Sequence, residues 1–266
     1  MAPPPPSRSI GELTFPDVTR YLKETSILCL PLGAIEQHGR HLPLNTDLII
    51  AEGLTRRIIA HAGEAFDLWQ LPALPIGLSR EHDWAPGTLS LSIRSFTILL
   101  RDLGREIVRA LPARNLAIVN CHGGNRGLLE NLLHELRGDF ALNACAIHPF
   151  DLANTDTGLP LDVHGGKSET SVMLALAPDL VRRELIERAD DPPDQKMIEE
   201  LIFDRGATWP WRTDDPQLAR GGIIGDARDA SPELGQAIID RVVQRAGAVF
   251  QRLLENQQLM PGGAAR

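Results

Sequence analysis

Two short apolar runs constrain the fold of this chain most tightly: Ile27-Leu28-Cys29-Leu30-Pro31-Leu32 and Leu116-Ala117-Ile118-Val119-Asn120. Neither alternates apolar with polar residues, so each reads as a strand covered on both faces. The segments around them have helical spacing. Asp47 is placed to cap a helix over Leu48–His61, with Leu48, Ile49, Leu54, Ile58 and Ile59 as its apolar stripe. Phe96, Leu99, Leu100, Leu103, Ile107 and Leu111 predict a helix over Ser95–Leu111. Further strands are expected over Leu71–Ile76 and Ala144–Ile147, and further helices over Arg126–Leu136 and Ser168–Ala177. Ser231-Pro232-Glu233 opens a last helix, with a cap and a proline at its first position. Alternating strands and helices predict an α/β fold, a three-layer α/β/α sandwich around a mainly parallel sheet.

The expected organisation is a single domain over residues 11–258, between a disordered tail at 1–10 and a frayed end at 259–266. Pro192-Pro193 and Trp209-Pro210-Trp211 mark Ala189–Pro216 as an excursion over the surface or into a neighbouring subunit. The Pro3–Pro6 run precedes no apolar stretch, so no secretory signal is expected, and no apolar run approaches the roughly 20 residues that span a bilayer. A net charge of −8, from 35 acidic and 27 basic residues, argues against a nucleic-acid surface. Three cysteines cannot all pair, which fits reduced thiols in a cytoplasmic protein.

Three short stretches concentrate side chains that bind divalent metals: Glu36-Gln37-His38 with Asp47, His122-Gly123-Gly124-Asn125, and His164 through Glu169. They follow or lie near the predicted strands, where open α/β sheets build their sites. Glu36, His38, Asp47, His122 and Glu169 suit two metal ions that activate a shared water. One partition gives Glu36, Asp47 and His122 to one ion and His38, Asp47 and Glu169 to the other. His164 is then left as proton carrier for a leaving nitrogen, with Glu169 as the other candidate for moving protons. His82, Gly123, Gly124 and Asn125 are candidates for binding substrate, the glycines because a bare backbone can pass close to a ligand.

These residues resemble the creatininase (creatinine amidohydrolase) family. The resemblance runs in order through Leu32–Gly39, His41–Asp47, Glu81-His82 with Pro86-Gly87-Thr88, Asn120–Asn125, His164–Glu169 and Gly221–Asp226. It implies a layered α/β/α fold, two divalent ions (zinc, manganese or iron) and hydrolysis of a C–N bond in a small amide, formamide or cyclic amide. It also implies a homo-oligomer, often a hexamer. The creatinine-cleaving branch looks to carry a glutamate ligand where this chain has Gly124, which points to a His-Gly-Gly-Asn branch and a substrate other than creatinine. Arg40 likewise replaces a family proline.

Other chemistries find less support. Cys121 adjoins His122, but no separate base is placed to activate it. Gly166-Lys167-Ser168 imitates the end of a phosphate-binding loop, yet Leu161 stands where that motif needs glycine, and no G-x-S-x-G elbow is present. A non-catalytic binding or assembly protein on the same scaffold, or a metal-dependent lactone or sugar-ring hydrolase, remains an alternative.

Overall fold

In the computed structural model, the described residues are 7–153, 162–186, 194–204 and 206–259. The chain runs α1 (Phe15–Tyr21), β1 (Ile27–Leu32), α2 (Thr46–Ala62), β2 (Leu68–Gln70), α3 (Ile93–Ala110), β3 (Asn115–Asn120) and α4 (Arg126–Phe140). It continues through β4 (Asn143–Ile147), α5 (Pro149–Ala153), α6 (Lys167–Leu176), α7 (Gln195–Ile198) and α8 (Pro232–Gln258). The four strands form one parallel sheet in the order β2-β1-β3-β4.

Both apolar runs lie at the centre of that sheet, every residue buried. Their alternate side chains feed two cores. Ile27, Cys29 and Ala117 pack with residues of α2, α6 and α8, whereas Leu28, Leu30, Leu116 and Ile118 pack with α3 and α4. The fold is therefore the expected three-layer sandwich. The connection after β1 leads to β2 on one side, while β3 pairs on the other, so loops leaving β1 and β3 diverge above a switch point.

Three expectations are corrected. The second strand occupies Leu68–Gln70 rather than Leu71–Ile76, because Pro72 and Pro75 have no N–H to offer a ladder; Leu74 keeps only an isolated bridge to Leu32. Asp47 lies inside the first turn of α2, whose cap position is Asn45. Residues 7–10 are held rather than loose: Arg8 pairs with Asp67, Ser9 bridges Gln70, and Ile10 begins a short 3-10 turn. Residues 1–6 and 260–266, expected as a disordered tail and a frayed end, lie outside the described set.

Parts of the Ala189–Pro216 excursion are described, and they join residues of the segment that follows in a small apolar cluster. Ile198, Leu218, Ala219 and Ile224 form it, with Trp211 packed against them, while Trp209 remains 52% exposed. No described helix is long and apolar enough to cross a membrane.

One close approach positions the start of α2. A Cβ on Gly33 would stand 2.5 Å from the Leu48 nitrogen and 2.7 Å from its Cα. The loop after β1 thus lies directly against the helix turn carrying Asp47. Gly33→Ala must push α2 away from the sheet, and overpacking of this kind costs about 1–3 kcal/mol. Urea denaturation should show that loss.

Candidate metal centre

Glu36 leaves the end of β1 on a loop pinned from both sides. Its N–H donates to Leu44 O (2.9 Å), and the adjacent Ile35 accepts from Leu89 N (2.8 Å). Two residues on, His38 Nδ1 lies 3.2 Å from the Glu36 carbonyl oxygen, which can only accept; Nε2 is thereby freed toward Asp47 Oδ1 at 3.1 Å. His122 leaves the end of β3 with Nε2 donating to Leu78 O at 2.5 Å. Its Nδ1 then faces Glu36 Oε1 (3.2 Å) and Asp47 Oδ2 (3.4 Å). Glu169, in the first turn of α6, accepts from Gly165 N (2.6 Å) and stands 3.8 Å from His38 Nε2. Asp47 lies between the two clusters, one oxygen turned to each histidine.

Among the described residues, three groups have ligand atoms all within 4.8 Å of one another: Glu36, Asp47 and His122; His38, Asp47 and Glu169; and Glu36, His38 and His164. The first two are the partition drawn from sequence, and they share Asp47. The third brings in His164. That ring donates from Nε2 to Gln37 O (2.7 Å), which leaves Nδ1 without its proton and 3.6 Å from Glu36 Oε1.

The residues fit a divalent cation by what they lack. Glu36 and Asp47 are 0% and 1% exposed, yet Glu36 Oε1 and Oε2 and Asp47 Oδ2 have no hydrogen-bond partner. Imidazole nitrogens stand 3.2–3.4 Å away without meeting hydrogen-bond geometry. Buried anionic oxygens are costly unless paired, and hard oxygen with imidazole nitrogen is the donor set of zinc or manganese. The electrostatics agree. Burial disfavours a charged His38, but Asp47, Glu169 and Glu36 push its pKa up to about 10. His122 is likewise raised, against burial, by Glu36, Asp47 and Glu81. Burial and the neighbouring rings press His82 down to about 2 and His164 well below its ordinary range. Burial, with Asp47, lifts Glu169 to about 8.

The substrate-binding candidates sit differently from one another. His82 is inside the cluster, its Nε2 3.3 Å from Glu36 Oε1 and its ring 4.1 Å from that of His164. Gly123 faces open space, with nothing within 4 Å of an added Cβ. Gly124 is walled in by Leu78, Glu81 and His122. Asn125 spends its amide internally, accepting from Leu78 N (2.9 Å) and donating to Asn120 Oδ1 (3.0 Å), so it ties loops together rather than facing the site.

Several residues that hold the centre carried no assignment in the sequence. Gln37, between two candidate ligands, donates to Gly222 O (2.7 Å) and accepts from Gly39 N (2.9 Å). Its place inside the Glu-Gln-His motif was the available signal. Thr213 accepts from Trp84 Nε1 (2.9 Å) and lies 2.9 Å from His82 Nδ1. No local pattern marks it. Ile224 pairs with His164 as an antiparallel bridge, which gives the late Gly221–Asp226 segment its purpose.

Carboxylates and imidazoles gathered beyond the carboxyl ends of β1 and β3 give this parallel α/β/α sheet a candidate site for divalent metal. The family model for creatininase (creatinine amidohydrolase) matches residues 11–250. The mycofactocin precursor peptide peptidase of Mycobacterium tuberculosis is 32% identical over 252 residues, covering 89% of this chain and 90% of that one. Creatinine amidohydrolase of Pseudomonas putida is 31% identical over 257 residues, covering 88% and 93%. A solved manganese creatininase superposes with a TM-score of 0.75 at 28% identity, over 92% of this chain and 98% of that one. The chain belongs to the creatininase family, whose members here are hydrolases of carbon–nitrogen bonds.

Cys121 can be set aside as a nucleophile. Burial raises its thiol pKa, and the nearby Asp47 and Glu169 charges raise it further, so the reactive thiolate is disfavoured. Cys121→Ala should therefore keep kcat within about tenfold of wild type, far short of the loss expected when a nucleophile is removed.

Proposed function

We propose that the chain is a metal-dependent amidohydrolase that cleaves the C–N bond of a small amide, formamide or cyclic amide with water as nucleophile. The observation carrying this reading is the pair of buried donor triads sharing Asp47, with anionic oxygens that nothing else satisfies. Glu36, Asp47 and His122 would hold one divalent ion, and His38, Asp47 and Glu169 the other. Bound there, such ions supply Lewis acidity toward the amide carbonyl and make a water more acidic at neutral pH. Manganese and zinc are the favoured occupants, on the donor set and on the manganese of the solved relative.

The chain's own residues then do three things. Glu36 and Asp47, both buried, concentrate negative charge where cations would be held. Water adds to the amide carbon as the C–N bond weakens, and the proton it loses needs a carrier. His164 is suited to carry it, because its Nε2–H is committed to Gln37 O and Nδ1 keeps an open lone pair facing the cluster. Nδ1 takes the proton and returns it to the departing nitrogen, so that amine and carboxylate leave as products. Gly123 lets a substrate approach the backbone closely.

The two relatives are named for different substrates, creatinine and a precursor peptide, which leaves amide chemistry as the shared element. Gly124 supports a substrate other than creatinine. A homo-oligomer, of the hexameric kind, rests on the family resemblance. The free cysteines Cys29, Cys121 and Cys145 support a reducing, cytoplasmic setting.

Elemental analysis of protein purified without chelator should find about two ions per chain. Asp47→Asn should lose bound metal and turnover together while keeping its circular dichroism; full activity in the metal-free variant would sink the mechanism. His164→Ala should lose about 10²–10⁴-fold in kcat with its metal content intact. Loss of an ion from that variant would make His164 a ligand instead of a proton carrier. Chelation should also lower the melting temperature of the wild-type protein, and added Mn²⁺ should restore it, since binding to the folded state alone stabilises it.

A further inference from the structure

Gly124 is a glycine for want of space. Its φ lies outside the left-handed region, but a Cβ there would stand 2.5 Å from both Glu81 Oε1 and His122 Nε2, and closer still to the Leu78 carbonyl oxygen. The turn from Leu78 to His82 therefore fills the volume that a side chain at 124 would take, and it brings a carboxylate with it. Glu81 is only 15% exposed at its side chain, with Oε1 3.7 Å from His122 Nε2 and 4.0 Å from His82 Nε2. Its backbone is fixed from a distant segment, where Thr213 N and Oγ1 both donate to Glu81 O at 3.0 and 3.1 Å.

His122 uses its two nitrogens in opposite directions. Nδ1 points inward to Glu36 and Asp47, while Nε2–H points outward to Leu78 O, with the Glu81 carboxylate beside it. An acceptor on the outer nitrogen of a metal-binding imidazole fixes its tautomer and orientation, and a negative charge there makes the inner nitrogen a better donor. A largely desolvated carboxylate 3.7 Å away acts with little screening.

We propose that Glu81 is a positioning residue of the metal centre, acting through the outer edge of His122 to hold that ring and strengthen its inner nitrogen as a ligand. This rests on reading His122 as a metal ligand. It also explains the pairing of the two positions, since the bare Gly124 is what admits Glu81 to the edge of the ring.

The test needs no substrate. Wild type, Glu81→Gln, Glu81→Ala and Glu81→Asp are stripped with chelator and titrated with Mn²⁺ by calorimetry. Glutamine keeps the size and removes the charge, so a folding failure of the alanine variant leaves the comparison intact. The expected result is an unchanged number of ions, with affinity weakened about 10- to 100-fold in the glutamine and alanine variants and partly recovered by aspartate. Metal-free melting temperatures of wild type and Glu81→Gln should match, which a merely structural role would not give alongside weakened binding. Wild-type affinity in Glu81→Gln overturns the proposal. So does loss of one whole ion, which would make Glu81 a ligand. A wild-type chain that takes up no Mn²⁺ overturns the metal-centre reading itself and the role of Glu81 with it.

Discussion

The buried Glu36 carboxylate dictates the construction around it. An anion with no exposure and no hydrogen bond is a large electrostatic cost in a protein interior, and the local sequence does nothing to reduce it. What surrounds it is instead a ring of groups that answer to positive charge: Asp47, three imidazole nitrogens within 3.6 Å, and Glu169 further round. Three carboxylates and four imidazoles gathered in this way form a donor set that suits divalent cations. The buried oxygens that are costly alone are the ones a divalent cation would satisfy.

The sheet makes that concentration possible. β1 and β3 are adjacent and parallel, in register from Ile27 with Asn115 to Leu32 with Asn120, so their following loops start side by side. Glu36 and His122 are brought together by that register and not by any sequence proximity. Asp47 joins them because Gly33 lets the first turn of α2 press against the end of β1. His164 joins because Ile224 pairs with it from a segment sixty residues downstream. Each donor is therefore anchored by backbone, and the side chains have little left to do but converge.

This also explains which parts were legible in the sequence. Ile27–Leu32 and Leu116–Asn120 announced central strands because burial on both faces leaves no polar alternation. The candidate donors could be singled out because histidines and acids recur in short stretches after the predicted strands, and the structure brings those side chains together. Leu71–Ile76 misled because its apolar content resembles a strand while Pro72 and Pro75 deny it a ladder. Thr213 was silent for a different reason, and Glu81 was visible only as part of the Glu81-His82 loop of the resemblance, with no role of its own. Their importance lies in contacts across 129 or more positions for Thr213 and 41 for Glu81 with His122, and no local pattern encodes such contacts. Asn125 lay in the right motif, but only the structure shows its amide tying Leu78 to Asn120.

Several of the contacts behind the candidate ligands fall on one loop. Leu78 O receives His122, Leu78 N donates to Asn125, Glu81 stands over Gly124, and His82 reaches Glu36. That loop is in turn fastened by Thr213 from the excursion after α7. The excursion thus braces the loop beside the candidate metal centre. Thr213 and Trp84 are far from Glu36 and His122 in sequence, yet their hydrogen bonds hold the 78–82 turn against the cluster.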